Sequence, residues 1–145
     1  MVDKILHAAM YAPSAVNKQP WHFIVFEDVD LRKAIMKFHK SAGMLVEAQK
    51  CILVCYDENL QHDAGYGIID CSTATQNILL AAHASGLGAC WVGICPRQER
   101  AAAFHELFRL PENIKPFALV SLGFPAETKK TPDRVRPERI HIGKW

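Results

Sequence analysis

GIIDCSTATQNILLAAHASGLGACWVGI, residues 67–94, is the stretch on which the fold turns. Residues 67–85 carry helix formers, and the last three turns are apolar on most sides. Gly86 follows, a good residue for ending a helix in the left-handed conformation. ACWVGI, residues 89–94, then changes to aromatic and branched side chains and predicts a strand. A helix that is apolar nearly all round must be covered all round. A chain of 145 residues has little material to do so, which points to a subunit interface. A central core helix would give the same periodicity.

Outward from this segment, strands alternate with helices. Residues 3–11 predict a short amphipathic helix ending before Pro13. After the polar loop SAVNKQ comes WHFIVFED, a strand bounded by Pro20 and Asp28. Asp28 or Asp30 can cap a helix with Leu31, Ala34, Ile35 and Phe38 on one face. CILVCY, residues 51–56, is apolar on both faces and predicts a buried strand. A helix at 97–109 and a strand at 115–124 complete the pattern, and the class is mixed α and β in one domain over residues 1–145. The segment 125–145 has prolines at 125, 132 and 137, which rule out a long helix. It finishes with Ile140, Ile142 and Trp145, which predict a docked tail.

Composition excludes several classes. Seventeen basic and fifteen acidic residues leave a net charge of +2, too little for a nucleic-acid binder held by phosphates. No apolar run is long enough to span a membrane, and the first residues lack the layout of a signal peptide. Five cysteines, an odd number on apolar segments, read as reduced thiols and predict a cytoplasmic protein. There is no C-x-x-C pair, and Arg109 stands where a zincin helix would need its second histidine, so no metal site is expected.

Three segments can carry chemistry. In PSAVNKQPWHF, residues 13–23, prolines restrict the chain at both ends, and Ser14, Asn17 and Gln19 offer hydroxyl and amide groups between them. Such groups suit the alternating donors and acceptors of a flavin's pyrimidine edge; an ordinary turn bonding its own backbone is the plainer reading. GLGACWVGI, residues 86–94, is no dinucleotide loop, because Trp91 occupies the third glycine position. Gly93 lets backbone approach a flat ligand closely, or else it merely relieves crowding. In the basic tail, Arg134 and Arg136 alternate in an extended stretch and face one side, as phosphate ligands or as a solvated surface.

Taken together, the 13–23 loop, the helix TATQNILLAAHASGLGACWVG and the ending RPERIHIGKW resemble the nitroreductase family of flavoproteins over residues 5–145. The resemblance implies an α+β fold around a mixed, largely antiparallel sheet flanked by helices. It implies a homodimer with two FMN sites, each built from both subunits. Pro13, Ser14, Ala15, Asn17 and Gln19 match the loop that lines the flavin. Val92 and Gly93 match the segment over the ring, and Arg134 and Arg136 match cations that reach its phosphate. NAD(P)H would be the electron donor and a small electron-poor molecule, such as a nitroaromatic or quinone, the acceptor, in ping-pong order. No catalytic side chain is implied. The family's Arg-Arg-Ser-x-Arg segment has no counterpart here, and a lysine of some relatives falls near Ser41 and Met44. This leaves open a late start or fragment, a phosphate held mainly by Arg134 and Arg136, weak binding, or a flavin-binding dimer without reductase activity.

Overall fold

The computed structural model describes residues 1–145. Its elements are α1 (Val2–Met10), β1 (Trp21–Phe26), α2 (Val29–Phe38), β2 (Lys50–Asp57), α3 (Ala64–Ala84), β3 (Gly88–Gly93), α4 (Gln98–Phe108) and β4 (Ile114–Gly123). Short 3-10 turns cover Ala15–Asn17, Gly43–Val46 and Pro137–Arg139. The four strands form one sheet in the order β1-β2-β4-β3, and every pairing within the chain is antiparallel.

The sheet is the middle of three layers. Along β2 the side chains alternate between faces. Ile52, Val54 and Tyr56 join Ile5 and Ala9 of α1 and Cys71, Ala74 and Ile78 of α3. Cys51, Leu53 and Cys55 join Ile35 of α2 and Phe104 of α4. The unbroken apolar run of CILVCY is therefore a strand covered on both sides. The β2–β4 register slips once, between Val54↔Ala118 and Cys55↔Pro116. Pro116 has no N–H to give the ladder, and the slip falls beside it.

Local signals set the element ends. The Asp28 carboxylate accepts the N–H groups of Asp30 and Leu31 at 2.8 and 2.9 Å, which starts α2. Asp63 does the same for Gly65 and Tyr66, so α3 begins at Ala64, earlier than the apolar pattern alone indicates. Gly86 has φ +75°; its N–H bonds the His83 carbonyl and the Leu87 N–H bonds that of Ala82, a Schellman closure of α3.

The helix α3 is not a central core helix. It lies outside the sheet, with Gly67, Cys71, Ala74, Ile78 and Ala82 turned inward and Tyr66, Ile69 and Leu80 more than half exposed. The tail does not dock on its own chain: Ile140, Ile142 and Trp145 are 70%, 97% and 101% exposed. Both sheet faces are already covered by helices, so the tail finds no vacant core to join.

Gly67 is fixed by packing. A Cβ there would sit 2.7 Å from Cδ2 of Tyr56, whose ring lies against the α3 backbone. In a helix, glycine to alanine ordinarily stabilises by up to about 1 kcal/mol. Here Gly67→Ala is expected to destabilise by about 1–3 kcal/mol, because the ring must move. Thermal denaturation checks the sign, and a raised melting temperature would refute the packing account.

Candidate functional site

The loop between α1 and β1 is conformationally unusual. Val16, Asn17 and Gln19 have φ of 51°, 56° and 48°. Asparagine tolerates this region, but a β-branched valine there is strained and persists only where surrounding contacts over-determine it. Several contacts do so. The Ala15 N–H donates to Asp70 Oδ1 at 2.8 Å. The Thr73 hydroxyl lies 3.0 Å from the Pro13 carbonyl. Within the loop, the Gln19 N–H donates to Ser14 Oγ at 2.9 Å, and Gln19 Nε2 donates to Asn17 Oδ1 at 2.7 Å. Ser14 thus spends its hydroxyl oxygen on the turn itself, as the plainer reading has it. The Asn17 and Gln19 side chains remain at the surface, and Pro13 is exposed beside them.

Asp70 was not singled out by the sequence reading. It is 1% exposed on α3, makes no ion pair, and its Oδ2 has no hydrogen-bond partner. A buried carboxylate without a cation is costly, so its contact with the loop marks it out. The sequence signal was one acid within an otherwise apolar helix segment, GIIDCS.

At the other candidate segment, Val92 is 3% exposed and packs in the core. A Cβ on Gly93 would meet nothing within 4 Å, so the glycine does not relieve crowding; open space faces it. The Gly93 carbonyl accepts from His39 Nε2 at 2.8 Å and from Arg100 Nη1 at 2.9 Å. Neither residue was identified from the sequence. Beyond Gly93, a cleft of about 420 Å³ is lined by Tyr56, Ile68, Cys95, Arg97 and His105, among others.

Arg134 and Arg136 lie exposed in the tail. Arg136 Nη1 donates to its neighbour's carbonyl, and neither guanidinium bonds the 13–19 loop or Gly93. The thiols offer no competing redox pair. Burial pushes Cys51 up to about 11, partly offset by Arg32, and Cys55 up to about 12, so both are inert at neutral pH.

Topology keeps the two main segments apart. The loop feeds the start of β1, and Gly93 ends β3; both lie at the same end of the sheet but on its opposite edges. Three strand spacings of roughly 4.8 Å put about 14 Å between those edges.

Comparison with known proteins gives this arrangement a context. A profile of the Nitroreductase family matches residues 1–64 and 37–124. The chain belongs to the nitroreductase family. It is 46% identical over 145 residues to a provisionally named NADH dehydrogenase/NAD(P)H nitroreductase of Methanothermobacter thermautotrophicus, covering all of this chain and 76% of that one. A solved structure of a provisionally named NADH oxidase from Clostridium acetobutylicum superposes with a TM-score of 0.94 at 41% identity, covering 99% of this chain and 87% of the other. A provisionally named nitroreductase from Desulfovibrio desulfuricans, solved in complex with FMN, superposes with a TM-score of 0.82 at 27% identity over 99% and 84% of the two chains.

In this nitroreductase-family chain, Asp70 is expected to act as the anchor of the loop. Asp70→Ala strands the Ala15 N–H, at a cost of about 1–3 kcal/mol. The dissociation constant for FMN, followed by quenching of flavin fluorescence, is expected to rise about tenfold. Asp70→Asn keeps an acceptor oxygen and is expected to stay within about threefold of the parent. Equal affinities for the alanine variant and the parent would refute the assignment.

Proposed function

We propose that this chain works as a homodimeric oxidoreductase, with FMN held at two sites that each draw on both copies. The observation that carries this reading is the placement of the 13–19 loop and Gly93 on opposite sheet edges. A second copy brings the loop of one chain to the Gly93 segment of the other. The same association covers Tyr66, Ile69 and Leu80 of α3 and gives Ile140, Ile142 and Trp145 an apolar surface to dock on.

The residues fit the cofactor. The exposed amides of Asn17 and Gln19 suit the pyrimidine edge, and Pro13, Ser14 and Ala15 shape the wall beside them. The open space at Gly93 lets the Val92–Gly93 backbone lie flat against a ring. Arg134 and Arg136 supply guanidinium groups for the phosphate. When bound, FMN supplies the redox chemistry by which electrons pass from NAD(P)H to an electron-poor acceptor such as a nitroaromatic or quinone, in ping-pong order. The chain's own work is to bind, orient and polarise; no side chain acts as acid, base or nucleophile. Five free cysteines suit a reducing, cytoplasmic setting, and no helix of the chain is long and apolar enough to cross a membrane.

Two measurements test this. Anaerobic addition of NADH or NADPH to FMN-loaded protein is expected to bleach the visible flavin band; a yellow protein that neither donor bleaches would sink the enzyme reading. The shared site is tested by complementation. Asp70→Ala damages the loop, and Gly93→Val fills the open space without meeting other protein atoms near its Cβ. Each variant alone is expected to bind FMN poorly. Co-refolded in equal amounts, they form mixed dimers in which one site holds both intact halves, so about a quarter of all sites regain normal affinity. No recovery in mixed dimers would place each site within a single chain.

A further inference from the structure

We infer that His39 and Arg100 are positioning residues, a two-sided clamp on the Gly93 carbonyl that fixes the backbone facing the flavin. The inference rests on the proposed reading of Val92–Gly93 as the ring-facing segment. Its starting point is a mechanical problem. Gly93 is the last residue of β3, an edge strand paired only with β4. It has no side chain, and the position of its missing Cβ faces open space. A glycine that clears room for a ligand gives up the packing that would hold its own backbone still.

The carbonyl supplies the missing restraint. His39 Nε2 lies 2.8 Å from it and Arg100 Nη1 lies 2.9 Å from it. A carbonyl oxygen has two lone pairs, and both are used. The donors come from different elements on one side of the sheet: His39 is the C-cap of α2, and Arg100 is in the first turn of α4. Because a carbonyl only accepts, His39 must carry its hydrogen on Nε2. Its Nδ1 is buried and has no partner, so the one bond to Gly93 is the side chain's entire hydrogen-bonding role. Arg100 forms no ion pair with any carboxylate. Its charge is aimed at the peptide oxygen of the proposed ring-facing segment, although Glu99 stands next to it in sequence and bridges Arg97 instead.

A clamp of this kind has two effects. It holds the segment at a fixed height above the ring, which governs how well a nicotinamide or acceptor is aligned. It also sets a cation beside the flavin, which favours the reduced, more negative form and raises the midpoint potential.

The test uses FMN-loaded dimer and the variants Arg100→Met, Arg100→Lys, His39→Leu and His39→Gln. Midpoint potential, the rate of anaerobic bleaching by NADH and the FMN dissociation constant are measured on each. Arg100→Met is expected to lower the potential and slow bleaching about tenfold while FMN affinity stays within about threefold. Arg100→Lys retains charge and donor and restores the potential. His39→Leu slows bleaching with little change in potential, and His39→Gln, whose amide can reach the carbonyl, recovers the rate. Should His39→Leu not fold, the Arg100 pair and His39→Gln carry the test. Unchanged potential and rate in Arg100→Met would overturn the clamp while leaving the flavin site standing. Gly93→Val binding FMN as tightly as the parent would overturn the clamp together with the site reading beneath it.

Discussion

The β2–β4 ladder is the contact on which the rest of the molecule depends. Residues 51–55 of β2 and 118–120 of β4 are fully buried, with helices above and below. Each helix packs against this pair or against a strand that pairs with it. The two central strands are covered on both faces and paired on both edges. At the rim of the sheet the chain places a strained loop at one edge and a bare glycine at the other. The rim is where backbone can be left unpaired.

The loop and the glycine solve opposite problems by the same means. Val16 and its neighbours occupy conformations that cost energy, and Asp70 and Thr73 hold them from α3. Gly93 costs little strain but has no side chain to pack, and beyond its pairing with β4 its carbonyl is held by His39 and Arg100 from the other side of the sheet. In both cases a side chain from a rigid helix grips backbone rather than another side chain. Backbone gripped in this way can face a ligand without presenting any group that must itself be stabilised.

How much of this could be read in advance depended on whether a residue's meaning was local. The apolar run at 51–56, the Asp28 cap and the Gly86 terminus were all legible, because each signal and its consequence lie within a few residues of one another. The loop and Gly93 were singled out through a family pattern, and their separation on the sheet was not legible, because strand order is a tertiary fact. Asp70, His39 and Arg100 were illegible for a related reason. A single acid in a helix, or a histidine after one, has no periodic signature, and its partner lies 55, 54 or 7 residues away in sequence. The tail's apolar residues imply burial without saying on what, and one chain offers them no surface.

The strand order also bears on how the chain is made. β4 is the last of these four strands to leave the ribosome, yet it sits between β2 and β3, which do not pair with one another. Until residues 114–123 have emerged, the nascent chain holds CILVCY with only one neighbour and ACWVG with none. Synthesis therefore passes through a stage in which adhesive strands await a late insertion, a stage suited to chaperone capture and sensitive to translational pausing. A chain cut short before residue 114 would lack the strand that joins β3 to the rest of the sheet.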